Sequence, residues 1–137
     1  MELSELVNKS IGVPFKDFGR DLDGWDCWGL IVYAYQELYD IALEDFTGLT
    51  GLNSKESKKL FEDHRNSWIE LERGKEIPGD IVILRGSSVI HTGLVLGKGM
   101  MLHTENHLGT CVETYNSGTW KTRVITFGRH RENNGIQ

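Results

Sequence analysis

Three residues of this chain have the types and positions needed for nucleophilic chemistry: Cys27, His91 and His103. Cys27 opens an apolar helical pattern, where unpaired backbone N–H groups and the positive end of the helix dipole favour the reactive thiolate. The two histidines lie on predicted strands later in the chain. A cysteine at a helix start combined with histidines on a sheet is typical of cysteine–histidine nucleophilic enzymes.

The relation between the two histidines depends on the turn that joins their strands. The segment Gly97-Lys98-Gly99 predicts a hairpin with a three-residue loop. In that register His91 and His103 are diagonal neighbours on one face, roughly 7–8 Å apart or somewhat less between Cβ atoms, and Gly93 leaves room between them. A two-residue loop would place them on opposite faces. We expect His91 to contact the thiol and His103 to fix the orientation and tautomer of the His91 ring.

The elements that must position these residues are helices in the first half of the chain and strands in the second. We expect a short amphipathic helix at the N-terminus, a loop over residues 15–24, and a central buried helix from Asp26 to about Tyr39. A capping box at Asn53 predicts a polar helix that runs to about Arg65. An α+β fold with an antiparallel sheet is indicated by the strands expected near residues 81–84, 90–96, 100–105, 110–114 and 123–128.

Size and composition restrict the classes of protein that the chain can be. Its 137 residues fit one domain, residues 1–137, with residues 40–66 as a surface insertion that carries one helix. A net charge of −5 argues against nucleic acid as the main partner. No signal peptide or membrane-spanning run is visible, and two cysteines predict free thiols. A solvated tail is expected for the basic residues Lys121, Arg123, Arg129 and Arg131.

Four motifs resemble those of the NlpC-type cell-wall cysteine peptidases in order and spacing. They are Asp26-Cys27-Trp28-Gly29-Leu30, Pro78-Gly79-Asp80-Ile81-Val82, His91-Thr92-Gly93-Leu94-Val95-Leu96-Gly97 and Met101-Leu102-His103. The resemblance implies a minimal papain-like α+β fold, in which a central helix carrying the cysteine packs on a five- to six-stranded antiparallel sheet. It also implies hydrolysis of the γ-D-glutamyl–diamino acid bond in peptidoglycan stem peptides. By motif position, Cys27 is the nucleophile, His91 the general base and His103 the third member of the triad.

Within that family, the chain resembles the peptidase domains of phage tail-tip assembly proteins of the K type. Trp28 after the cysteine, the stretch 19–24 and the late Trp120 carry this likeness. It implies other tail-tip proteins as partners, and a location in the host cytoplasm, the virion tail or both, with action in the periplasm or cell wall. Phe15 stands where many relatives have a tyrosine near the oxyanion site. Because phenylalanine cannot donate a hydrogen bond, the oxyanion would depend on backbone N–H groups, including that of Cys27, or on a nearby side chain.

Several residues beside the triad have two possible roles. Asp26 either caps the helix or binds a substrate amine, and Trp25 and Trp28 either line the substrate groove or pack in the core. Cys111 is expected in the core, and His64 and His130 are expected to be solvated.

Zinc is the alternative that the histidines raise, because four side chains have suitable donor atoms: His91, His103, His107 and Cys111. The segment that holds the last three reads as strand and turn, where a spacing of four does not place ligands side by side. We therefore expect no metal and no cofactor. Three functions remain open: a cysteine hydrolase of peptidoglycan, an acyl transferase or amidase on the same scaffold, and a structural tail protein with a weakened site.

Overall fold

A computed structural model describes residues 1–44, 62–86 and 90–133. Two helices and eight strands are present in these ranges, together with one 3-10 turn at Gly118–Trp120. In chain order the elements are α1 Leu3–Ser10, β1 Arg20–Asp21, β2 Gly24–Trp25, α2 Cys27–Tyr39, β3 Trp68–Leu71, β4 Ile81–Arg85, β5 Ile90–Gly97, β6 Met100–Glu105, β7 Gly109–Thr114 and β8 Val124–His130.

Six strands form one antiparallel sheet in the order β3-β8-β4-β5-β6-β7, and β1 and β2 form a separate small hairpin. The α+β prediction is confirmed, and every strand expected from the sequence is present. β3 and the β1–β2 hairpin were not expected. Both are short, four and two residues per strand, so neither carries enough alternation to be recognised by its period.

Helix α2 lies against one face of the sheet. It begins where the Asp26 carboxylate accepts a hydrogen bond from the Gly29 amide at 2.8 Å, and it ends at Asp40, which adopts a left-handed conformation with φ 54°. Its buried side chains pack with Leu94 and Leu102 of β5 and β6. The opposite face of the sheet has its own core, formed by Val82, Leu84, Val95, Met101, Tyr115, Trp120 and Phe127. The expectation of a central, buried helix is confirmed.

The Pro78-Gly79-Asp80 turn anchors β4 to this helix. The Tyr35 hydroxyl of α2 donates a hydrogen bond to the Gly79 carbonyl. Gly79 has φ 97°, and a Cβ at this position would collide with the Tyr39 hydroxyl. Asp80 is fully buried and forms a double hydrogen bond with Arg129, each contact 2.9 Å long. Arg129 therefore belongs to β8 and an internal ion pair rather than to the solvated tail expected from the sequence.

The β5–β6 hairpin has the predicted register but a different turn. Leu94 pairs with Leu102 and Val95 with Met101, as a three-residue loop requires. Gly97, however, pairs with Met100, and a bulge between Val95 and Gly97 shifts the register by one residue. The connection is thus a two-residue turn, whose residues Lys98 and Gly99 both have positive φ. The three-residue loop was wrong, and the bulge supplies the compensating residue.

Other expectations about the periphery are settled or lie outside the described residues. His130 is buried in β8 against Trp68, with 5.0 Å between ring centroids, so the prediction of a solvated side chain was wrong. His64 is half-buried, 3.3 Å from Glu44. The predicted capping box at Asn53, with most of its helix, falls in the range 45–61 and is not described. No described helix has the length and apolar character needed to cross a bilayer.

Candidate active site

Cys27 is the first residue of α2, and its thiol lies against Thr92 of β5. The expected contact between the thiol and His91 is not among the contacts of the described residues, in which the His91 ring meets His103 and Trp120. Cys27 keeps partial surface exposure, but its surroundings are dense and burial raises the pKa of the thiol. The Thr92 hydroxyl and amide and the Trp28 amide lower that pKa, but by less. The resting group is therefore a neutral thiol. The helix N-terminus does not by itself hold a thiolate, contrary to the expectation from the sequence, because desolvation outweighs it.

His91 and His103 are in direct contact. The distance from His91 Nε2 to His103 Nδ1 is 2.8 Å, and the rings meet edge to face with centroids 5.0 Å apart. The predicted proximity of the two histidines is thus observed. His103 is fully buried, whereas His91 keeps some surface. Burial, and secondarily the neighbouring His103, lower the pKa of His91 to about 3, so that ring is neutral.

Glu113 of β7 extends this pair into a chain of three groups. Its Oε1 atom lies 2.8 Å from His103 Nε2. An ionised carboxylate only accepts hydrogen bonds, so a singly protonated His103 that bonds to it carries its proton on Nε2 and accepts one at Nδ1. His91 then donates from Nε2, which leaves the lone pair of His91 Nδ1 available as a base. We call His91, His103 and Glu113 the relay.

Glu113 was not among the site residues predicted from the sequence. In the β6–β7 hairpin Met101 pairs with Glu113 and His103 with Cys111, so Glu113 is the diagonal neighbour of His103 on the same face. The turn over residues 106–108, followed by Gly109, was the signal from which this register could have been derived. An acidic residue on a short strand belongs to no sequence motif that would indicate a site residue.

Trp120 covers the two histidines and was also missed as a site residue. Its ring stacks on His91, with centroids 5.1 Å apart and an angle of 14° between the planes. Its distance to His103 is 5.5 Å, in an edge-to-face arrangement. The Arg123 guanidinium lies 5.8 Å from the ring centroid. Because Trp120 is buried, it shields one side of the relay from water.

Gly93 has a different role from the one expected. A Cβ at this position would lie 2.9 Å from the Met101 sulfur and 3.2 Å from a Val82 methyl carbon. The missing side chain therefore makes room for core packing on the face that the relay occupies. It does not separate the two histidine rings, which touch directly.

Cys111 lies beside the relay rather than in the core. It is half-exposed, and its Sγ atom is 3.7 Å from His103 Nε2 and 3.8 Å from Glu113 Oε1. Burial and the charges of Glu113 and Glu105 raise the pKa of the Cys111 thiol to about 11. His107 is exposed in the turn before β7. The four-ligand set of two strand histidines, His107 and Cys111 is therefore not assembled.

The remaining predicted site residues have packing and capping contacts. Asp26 caps α2, and its carboxylate also accepts hydrogen bonds from Arg20 at 2.8 Å and from the Phe18 amide at 3.0 Å, so the capping prediction is confirmed. Trp25 is fully buried and its indole N–H donates to Thr110 at 2.8 Å. Trp28 is also buried, and its N–H donates to the Glu44 carbonyl at 2.9 Å. These placements favour packing over a groove lining for both indoles.

Phe15 is half-buried and forms an isolated bridge with Trp25, two residues before the cysteine. The Lys16 amide donates to the Trp25 carbonyl at 3.0 Å, and the Trp25 amide donates to the Pro14 carbonyl at 3.1 Å. The segment that contains Phe15 is thus fixed beside the start of α2. Its aromatic side chain has no hydrogen-bond donor to offer there.

Comparisons with known proteins agree with this fold. The model of the NlpC/P60 family matches residues 12–129. Probable endopeptidase p60 of Listeria grayi is 23% identical over 124 residues, which are 90% of this chain and 21% of that protein. The chain therefore spans about a fifth of this curated relative.

Solved structures share the architecture at low identity. An NlpC/P60 family protein from Bacillus cereus ATCC 10987 has a TM-score of 0.68 at 19% identity, over 95% of this chain and 40% of that one. RipD of Mycobacterium tuberculosis, described as a non-catalytic NlpC/p60 domain protein adapted to peptidoglycan binding, has a TM-score of 0.60 at 19% identity, over 93% and 96%. With its fold, its motifs and the matched family model, this chain belongs to the NlpC/P60 family of cysteine peptidases, which includes peptidoglycan hydrolases.

Proposed function

We propose that the chain is a cysteine peptidase that cleaves peptidoglycan stem peptides, with Cys27 as nucleophile, His91 as general base and acid, and His103 as the third member. The observation that carries this proposal is the relay, because its proton order leaves only Nδ1 of His91 free to accept a proton. The partial exposure of Cys27 and His91 gives a substrate access to both.

The pKa directions set the order of the first step. The pKa of the Cys27 thiol is raised and that of His91 is lowered, so thiol and imidazole are both neutral at rest. The thiol proton moves to His91 Nδ1 as sulfur attacks the carbonyl carbon, and the S–C bond forms. When the C–N bond breaks, the leaving amine takes that proton. Water then gives a proton to His91 and its hydroxide to the thioester carbon. The S–C bond breaks, and His91 returns the proton to sulfur, which restores the thiol.

The developing oxyanion has fewer side-chain donors than in relatives with a tyrosine. Phe15 offers none, so the backbone N–H of Cys27 at the start of α2 is the donor that we assign to it. The loss of one oxyanion donor costs roughly 10²–10³ in rate. Low activity of the isolated chain is the consequence that we expect.

The finer assignments rest on the motif resemblance. We propose the γ-D-glutamyl–diamino acid bond as the one cleaved, and a role in a phage tail tip with other tail proteins as partners. On this proposal residues 1–137 act as one domain, present in the host cytoplasm, the virion tail or both, with action in the periplasm or cell wall. Trp28 and Trp120, which carry the resemblance, have separate places in the core and over the relay.

Digestion of purified peptidoglycan and soluble muropeptides, followed by mass spectrometry, tests the proposal. Cys27→Ala is compared with Cys111→Ala, which removes the other thiol of the chain. We expect cleavage by the wild type and by Cys111→Ala, none by Cys27→Ala, and fragment masses that identify the bond. Cleavage by Cys27→Ala would contradict the assignment of the nucleophile.

The other outcomes identify the alternative functions. Products that incorporate an added amine in place of water indicate an acyl transferase. If no variant cleaves, co-sedimentation with peptidoglycan tests a binding function, of the kind described for RipD. A chain that neither cleaves nor binds is a structural component.

A further inference from the structure

We propose that His103, Cys111 and Glu113 form a Zn²⁺ site behind the catalytic pair, and that metal binding there switches off His91 as a base. We call these three residues the β6–β7 cluster. The binding site itself is independent of the proposed peptidase function, whereas its effect on catalysis rests on that function. The cluster is the one group of three metal-donor side chains found among the residues that the structure describes.

The donor atoms already have nearly the separations of a tetrahedral site. His103 Nε2 lies 3.7 Å from Cys111 Sγ and 2.8 Å from Glu113 Oε1, and the sulfur is 3.8 Å from that oxygen. Ideal zinc bond lengths place such atoms about 3.5 Å apart when one is sulfur and about 3.3 Å apart for nitrogen and oxygen. Only the nitrogen–oxygen pair must open, by about 0.5 Å. The Glu113 side chain is 38% exposed and has space to move.

The chemistry of the cluster also suits zinc. Imidazole nitrogen, thiolate sulfur and carboxylate oxygen are its usual protein ligands, and three of them leave a fourth position for water. One thiolate and one carboxylate balance the charge of the ion, and Glu105 adds negative charge next to Cys111. Cys111 is half-exposed, so the ion has a path to the cluster. Binding releases the thiol proton of Cys111 to solvent.

Metal binding would reverse the proton order of the relay. Zinc occupies the lone pair of His103 Nε2, so the single proton of that neutral ring moves to Nδ1. His103 Nδ1 then donates to His91 Nε2 across the 2.8 Å contact. His91 must then carry its own proton on Nδ1, and in the proposed mechanism that atom can no longer accept the thiol proton. The inhibition thus needs no movement of the backbone and no contact between zinc and Cys27.

Cobalt spectroscopy on Cys27→Ala tests the site without any assay of activity. The chain has two cysteines, so a thiolate-to-Co²⁺ charge-transfer band in this variant can come only from Cys111. We expect one equivalent of Co²⁺ to give the band and Zn²⁺ to displace it. The double variant Cys27→Ala/Cys111→Ala is the control, and circular dichroism checks that it folds. Absence of the band in Cys27→Ala, or the same spectrum in the double variant, would overturn the site.

The tautomer switch has its own readout in ¹⁵N spectra of histidine-labelled Cys27→Ala. We expect the His103 proton to move from Nε2 to Nδ1 when Zn²⁺ is added, and the His91 proton to move in the same sense. A Co²⁺ band together with unchanged histidine protons would place the metal on Cys111 without His103, and would overturn the switch.

Inhibition of muropeptide cleavage is the last step of the test. We expect Zn²⁺ to inhibit the wild type reversibly, with recovery of activity in EDTA. We expect Cys111→Ser to raise the half-inhibiting Zn²⁺ concentration at least about tenfold. The reason is that losing a ligand lowers the metal affinity at least as much as losing a hydrogen bond that supports a ligand. Equal inhibition of both proteins would refute inhibition through the cluster. If neither protein cleaves, the peptidase proposal fails, and the cobalt result still decides whether the site exists.

Discussion

Replacing Glu113 with glutamine keeps the size of the side chain and removes the charge that fixes the proton order of the relay. In the native chain the carboxylate accepts the His103 Nε2 proton at 2.8 Å. An amide can donate as well as accept, so the side chain in Glu113→Gln can donate a hydrogen bond to His103 Nε2. The His103 proton then lies on Nδ1 and the His91 proton on Nδ1, where it blocks the base. We therefore expect slower turnover with an intact fold.

The size of the loss follows from the strength and exposure of this hydrogen bond. Hydrogen bonds to charged groups contribute about 1.5–3 kcal/mol, and neutral ones about 0.5–1.5 kcal/mol. The difference is about 1–1.5 kcal/mol, and water screens a side chain that is 38% exposed, which favours the lower figure. A change of about 1 kcal/mol corresponds to a fall of about fivefold in kcat.

The assay is turnover of soluble muropeptides in the presence of EDTA, with kcat and KM determined separately. Glu105→Gln is the matched control, because it removes a similar charge from the strand that carries His103. We expect a fivefold lower kcat and an unchanged KM for Glu113→Gln, and values near the wild type for the control. An unchanged kcat for Glu113→Gln, or an equal fall in both variants, would show that Glu113 does not order the relay.

Three further changes test the surroundings of the site by urea denaturation. Trp120→Ala removes the ring stacked on His91 and should lower the free energy of unfolding by about 3 kcal/mol, whereas Trp120→Phe should cost much less; equal costs would contradict the packing argument. Arg129→Met leaves the buried Asp80 carboxylate without its cation and should cost about 3 kcal/mol, and a cost below about 1 kcal/mol would show that the pair is dispensable. Burial lowers the pKa of His130 below its ordinary value of 6.5. As the pH falls through 6.5, the unfolded chain therefore binds more protons at this side chain than the folded protein does. The free energy of unfolding decreases as a result. His130→Gln should therefore lose less stability than the wild type between about pH 7.5 and 5.5, and an identical loss would exclude His130 as the cause.

The sequence by itself determined the local elements that carry the candidate nucleophile and base. An N-capping aspartate followed by an apolar run requires a helix that starts at Cys27, and alternating apolar residues between glycines require strands around His91 and His103. These signals have periods of 3.6 and 2 residues and need no knowledge of distant contacts. The shared face of the two histidines was also predictable, although a bulge rather than a longer loop produces it.

Only the tertiary structure decided what surrounds those residues. Glu113, Cys111 and Trp120 reach the histidines from β7 and the turn after it, and Arg129 and His130 enter the interior because β8 lies inside the sheet between β3 and β4. The protonation states depend on the same packing, because desolvation is the sum over all neighbouring elements. A thiolate was expected from the helix end alone, and a neutral thiol results because the assembled core excludes the water that would solvate the charge.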